Sequence, residues 1–275
     1  MKKIIIILAF TCEFPSAEAL DSKRNNTSEE KGKTYVLIVS GINKDSKERR
    51  TKDCAVMDFR RFLLDNSEIE SKRLCILVDR ESSLRKDSIV STAANLKKQI
   101  DRFAAVVNNG DRFIFYYIGQ ANVVADMLRL NLPGPDITHK QLAEWVNGIK
   151  ASSMLIVLDC PGAGLAIEAV TGQNRIIIGA CTADQHYSTQ FSEYFVSALL
   201  DAQSDTNEDG RISLLEAFTS ASRSVDDFYR RQALLTTETP VLEDNADGIP
   251  SRQAWRYEQH KMDGLLASKF FLSVE

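Results

Sequence analysis

Cysteine is scarce in this chain, with five in 275 residues. That density excludes a small scaffold framed by disulfides and leaves the hydrophobic core to hold the fold. Histidine is scarcer still at three, so an imidazole base has to be His139, His186 or His260. Charge of one sign is also missing. Basic residues number 34 and acidic residues 38, for a formal net charge of −4, which speaks against a nucleic-acid partner. Internal repeats and low-complexity tracts are lacking too. After the first twenty residues no apolar run is long enough to span a membrane.

What is present is ordinary globular material, 44% hydrophobic and 26% charged, enough for one or two domains with a sizeable core. Lys2 and Lys3 precede an apolar run from Ile4 to Phe10, and Ala17 and Ala19 form a small-residue cleavage site. This pattern predicts a signal peptide over residues 1–19 and a secreted or periplasmic protein; a buried first strand is the competing reading. Phe10 and Thr11 are poor residues to precede a lipidated cysteine, which argues against Cys12 as a lipid anchor. A polar stretch over 20–33 reads as a flexible segment. The mixed-sign runs "SKRNNTSEEKGK" and "NKDSKERRTKD" read as solvated loop or tail. Export leaves Cys54, Cys75, Cys160 and Cys181 free to pair, and three connectivities are open, a Cys160–Cys181 link among them.

From Thr34 onward short apolar runs alternate with amphipathic ones. "TYVLIVSG", "RLCILVD", "RFIFYYIG", "SMLIVLD" and "RIIIGA" read as buried parallel strands. Val56, Phe59, Phe62 and Leu63, the stretch "STAANLKKQIDRFAAVV" behind Ser91 or Thr92, and "THKQLAEWVNGI" read as helices. The alternation predicts a three-layer α/β/α sandwich with a mainly parallel central sheet. It places the domain over 34–235, with a C-terminal extension over 236–275 packed on it. Ligands of such sheets collect at the carboxyl ends of the strands. Attention therefore falls on the loops "SGINK", "IGQANV", "LDCPGAG" and "ACTADQHYS".

Two of these loops, "FIFYYIGQAN" and "LIVLDCPGAG", resemble the paired catalytic loops of the caspase-like cysteine peptidases, most closely the bacterial legumain-type members. The segments "NLPGPDITHKQLAEW", "FSEYFVSALL" and "TETPVLEDNADG" are similar to that group as well, so the likeness runs from about Thr34 to Ser251. The resemblance implies the caspase-like version of the sandwich, with a histidine base in a G-H-G turn and a cysteine nucleophile in D-x-C-x-S-G. Here the base position is Gln120, an amide that cannot accept a proton. Ungapped, Asp159 and Gly164 match, Cys160 takes the variable position, Pro161 the nucleophile position, and Ala163 replaces the serine. Proline carries no nucleophile and removes a backbone N–H where donors are wanted. A thiol needs a base or positive charge beside it to ionise, and Cys160, one residue off, is expected to point away from the cleft.

The stretch "DTNEDGRISLLE" fits a calcium loop, with oxygens from Asp205, Asn207 and Asp209, the turn at Gly210, the Arg211 carbonyl, Ser213, and Glu216 at the twelfth position. The same residues also read as a plain interhelical turn, with Ser213 as N-cap and Glu216 completing a capping box. A second acidic turn, Asp244 to Gly248, offers a bare turn or an auxiliary site. Neither supplies the ligands of a catalytic zinc site.

Three functions are in view. The first is a secreted, catalytically inactive peptidase homologue that binds a peptide or protein in its old cleft, with structural calcium. The second is an active cysteine endopeptidase using Cys160 and a non-standard base, His186 being the imidazole nearest the strand ends. The third is another hydrolase using Asp159 or Asp184 beside His186. The substitutions at positions 120 and 161 favour the first.

Overall fold

A computed structural model describes residues 32–67, 69–80, 89–257 and 263–273. The expected signal peptide, Cys12, His260 and nearly all of the 20–33 segment lie outside the described residues. Seven strands form the central sheet: β1 (Thr34–Ser40), β2 (Leu74–Val78), β3 (Ile89–Val90), β4 (Arg112–Ile118), β8 (Ser153–Asp159), β9 (Arg175–Gly179) and β10 (Val241–Glu243). Their order is β10-β9-β8-β4-β1-β2-β3. Every pair is parallel except β10 with β9. The four central strands are almost wholly buried, as expected of a parallel sheet covered on both faces.

The two cores follow the strand pleat. Val36, Ile38, Ile114, Tyr116, Leu155 and Val157 face α1 (Ser46–Asn66), α5 (Phe191–Leu200) and α6 (Leu214–Arg231). Leu37, Val39, Phe113, Phe115, Ile156 and Leu158 face α2 (Ala93–Val106), α3 (His139–Asn147) and α4 (Ile167–Val170). Aromatic rings fill the first core: Phe59 meets Tyr116 edge-on at 5.0 Å, and Phe191 stacks on Phe195 at 5.2 Å. The architecture is thus a three-layer α/β/α sandwich with a mostly parallel sheet.

Two local expectations need correction. "NKDSKERRTKD" is no solvated tail, because most of it forms the opening turns of α1. Asp45 caps that helix by accepting from the amides of Lys47 and Glu48, and one face, Lys52, Ala55, Val56, Phe59, Phe62 and Leu63, is buried. The alternating charges lie on the other faces and hide this stripe from a reading by composition. "IGQANV" is likewise not merely a loop. It leads into β5 (Ala121–Val124), which pairs antiparallel with β6 (Met127–Leu130), and β6 pairs with β7 (Ile137–Thr138). The β5–β6 turn uses Ala125 and Asp126 at positive φ, where glycine or asparagine is the usual signal, so nothing in the residues announces it.

Among the described residues no helix is long and apolar enough to cross a membrane.

Candidate functional site

The carboxyl ends of β1, β4, β8 and β9 meet beneath the N-terminal turns of α1 and α5. Ser40, Ile118 and Asp159 stand in register across β1, β4 and β8. By strand alternation their side chains project to the α1–α5 face. Asp159 is fully buried. One of its oxygens, Oδ2, accepts from Lys52 Nζ at 2.6 Å, from the Ser192 amide at 3.2 Å and from the Ser192 hydroxyl. Because Ser192 Oγ donates to Asp159, the Tyr116 hydroxyl, 2.8 Å away, donates to it in turn. Lys52 Nζ also reaches Thr189 Oγ1 at 3.1 Å. Lys52 and Asp159 are a buried ion pair whose side chains are 2% and 0% exposed.

Glu238 extends this network. Its carboxyl group caps α5, accepting from the amides of Gln190 at 2.8 and 2.9 Å and Phe191 at 2.8 Å. Burial, then the Asp159 charge, pushes Glu238 up to about 8, against the downward pull of those amides and Lys52. Glu193, half-buried beside Lys52, is raised chiefly by desolvation. Desolvation also lifts the Tyr116 hydroxyl well above its ordinary value. Lys52, Asp159, Ser192, Thr189 and Tyr116 thus form one buried hydrogen-bonded network, while the second oxygen of Asp159, Oδ1, has no hydrogen-bond partner among the described residues.

The positions singled out by the peptidase resemblance lie on the sheet edge above this network. Gln120 donates through Nε2 to Glu48 Oε1 at 2.5 Å and to Ser188 Oγ at 2.9 Å, tying the end of β4 to α1 and to the β9–α5 loop. Cys160 is 0% exposed and packs into the α2–α4 core. Burial first, then the neighbouring Cys181 and Asp159, raises its thiol well above the ordinary range. Pro161 is buried. Gly162 is left-handed at φ 68°, and its amide donates to the Gln185 carbonyl at 2.8 Å, while the Gly164 amide donates to the Cys181 carbonyl at 3.0 Å. The backbone donors of the turn are therefore spent within the protein.

The segment Thr182–Gln190 lies over the turn as a strap: its Gln185 carbonyl takes the Gly162 amide, and Cys181, just before it, takes that of Gly164. A Cβ on Gly164 would come within 2.5 Å of the Ala183 amide, and one on Gly162 within 3.5 Å of the His186 ring. Gln185 latches the strap: its Oε1 accepts from the amides of Thr182 and Thr239, and its Nε2 donates to Thr239 Oγ1 at 3.0 Å. His186 is exposed, and its Nε2 lies 2.9 Å from the Ala183 carbonyl, an arrangement that makes Nε2 the donor. Asp184 is exposed and bonded to Thr182 Oγ1, which lowers its carboxyl. His139 is buried at the start of α3 and accepts from the Leu128 amide, a structural role.

The acidic loop folds on its own donors. Asp205 accepts from the amides of Asp209 and Gly210, Asn207 from that of Asp209, and Asp209 from that of Arg211. Both oxygens of Glu216 are engaged: Oε1 by Thr206 and Asn207, Oε2 by Ser213. Ser213 and Glu216 form the capping box of α6. A different acidic group converges nearby in sequence: Glu243, Asp247 and Asp263 each bring a carboxylate oxygen within 4.8 Å of the others, close enough to hold a metal ion. Asp247 belongs to the second acidic turn. Asp263 comes from a segment with no metal-loop spacing, which is why a sequence reading misses the group.

Sequence reasoning also missed Lys52, Ser192, Thr189 and Glu238. A lysine at a buried helical position, four residues before Val56, was the one signal available. Lys52→Ala, which strands the buried Asp159 charge, should cost about 3–5 kcal/mol in urea unfolding, and adding Asp159→Asn should recover part of that loss. Glu238 keeps its proton in the folded chain up to about 8, whereas the unfolded chain releases it in the ordinary carboxylate range. Its contribution is therefore complete below that range and fades as pH rises through the folded value. Unfolding midpoints should fall from about pH 5 to about pH 8.5, and Glu238→Gln should flatten that part of the slope. No protein-family model matches this chain, and no curated protein matches it.

Proposed function

We propose that this chain is an exported, caspase-like domain without peptidase activity, which binds a peptide or protein segment at the carboxyl edge of its sheet. One observation carries the reading: the Cys160 thiol is wholly buried, beside an amide at Gln120 and a ring at Pro161, the positions the resemblance assigns to base and nucleophile. The spent amides of Gly162 and Gly164 support it, since a peptidase needs such donors for the oxyanion. The three-layer α/β/α sandwich with its mostly parallel sheet is compatible with such a domain. The test is a library of short fluorogenic peptides, scored for both hydrolysis and binding. Binding without hydrolysis is expected, with Cys160 labelled by iodoacetamide far more slowly than free cysteine. Hydrolysis that disappears in Cys160→Ala overturns the proposal.

Calcium in the 205–216 loop belongs to the same reading. Asp205, Asn207, Asp209 and Glu216 bring hard oxygen donors into one loop, the donor type calcium selects. Thermal melts with calcium and with chelator decide it, using two variants. A calcium-dependent rise in melting temperature that vanishes in Glu216→Gln but survives in Asp263→Asn is expected. The reverse pattern moves the ion to the Glu243, Asp247 and Asp263 group, and no rise at all removes it.

A further inference from the structure

The β8–β9 ladder runs in constant register from Met154↔Arg175 to Leu158↔Gly179. Carried two residues further, the same offset sets Cys160 opposite Cys181. Contact confirms the placement: the Cys181 thiol lies 3.4 Å from the Cys160 carbonyl and 3.2 Å from that of Gln185. Both cysteines pack in the α2–α4 core and are 0% exposed. Residues opposite one another on neighbouring strands have Cα atoms about 5 Å apart, inside the 4.4–6.8 Å range of disulfides. All four described cysteines are thiols in this structure. Cys75 is on β2, three strands away from β8, so roughly 14 Å separates it from Cys160. Cys54 is exposed on α1, across the sheet.

We propose that Cys160 and Cys181 are a site of reversible oxidation, a dithiol that closes to a disulfide when the Thr182–Gln190 strap lifts. The strap covers the turn that joins Cys160 to Gly164, and one carbonyl, that of Gln185, accepts from both the Gly162 amide and the Cys181 thiol. While the strap is down the pair is inert, because burial holds both thiols protonated, Cys181 up to about 12. With the strap up, water reaches the sulfurs and thiolate forms. The oxidant is a small-molecule disulfide, of the kind an exported chain meets. The Cys181 thiolate attacks one sulfur of it and expels the other as a thiolate. Cys160 then attacks Cys181 Sγ and releases the second small thiol. The two protons of the cysteines pass to the two released thiolates, and the small disulfide takes up the two electrons. The product lacks the Sγ–H donor on Gln185, so the closed pair holds its strap more loosely. This inference is independent of whether the cleft binds peptide.

The test uses the reduced full chain with oxidised glutathione under native conditions, followed by alkylation, digestion and peptide mass mapping. A Cys160–Cys181 linked peptide, reversed by dithiothreitol, is expected. Gln185→Ala, which frees the latch, should speed its formation about tenfold, the effect of losing roughly 1.4 kcal/mol of closure. Protease cutting within 182–190 should rise several-fold on oxidation. Thr239→Val, which removes only the outer hydroxyl of the latch, supplies a milder variant should Gln185→Ala fail to fold. A link involving Cys54 or Cys75, glutathione adducts that never resolve to the pair, or no link in the native chain and the latch variant alike overturns the proposal.

Discussion

The fold closes over a buried charge pair. Asp159 ends β8 in a place from which water is excluded, and an unpaired carboxylate there would be strongly disfavoured. Lys52 answers it from α1, 107 residues earlier in the chain. The pair therefore fixes how α1 sits on the sheet, and through Ser192 and Thr189 it fixes the entrance to α5 as well. Desolvating two charges costs about as much as their attraction returns, so such a pair is better understood as setting an arrangement than as adding stability. Glu238 repeats the theme by capping α5 from the loop that follows α6. Three elements distant in sequence are thereby drawn to one edge.

That edge is the one where parallel sheets place their ligands. Here its polar groups are turned inward. Gln120 clamps α1 to the strap, Gly162 gives its amide to the strap and Gly164 to Cys181 just before it, and Asp159 is held from below. Mutual bonds hold this edge together.

The sheet was legible because fully buried strands write themselves as continuous apolar runs, as "RFIFYYI" and "SMLIVLD" do. Helices α2 and α6 were legible from their caps, Thr92 and Ser213, each of which accepts an amide of the first turn, and α3 from the run "THKQLAEWVNGI". The later turns of α1 were legible from Val56, Phe59, Phe62 and Leu63, but its opening turns were obscured because Lys52 counts as a charge in any composition, although its side chain is core. The β5–β6 hairpin was obscured because Ala125 and Asp126 adopt φ values those residues seldom take. Of the edge itself, Gln120, Cys160 and Pro161 could be read from the sequence. Their partners could not, since Lys52, Ser188, Thr189 and Glu238 arrive from elsewhere and no local pattern marks them. Glu216 shows the limit of a motif: the same carboxylate satisfies a calcium-loop pattern and a capping box, and the structure displays the capping box.

β10 has one further effect. It runs antiparallel at the sheet margin, and the outward amide and carbonyl of Leu242 are both taken by Ser251, at 3.0 and 2.7 Å. A bare margin would offer a template for another polypeptide to add on edgewise. With Leu242 capped in this way, that side of the molecule resists runaway self-association, a safeguard for a chain with so apolar a middle layer.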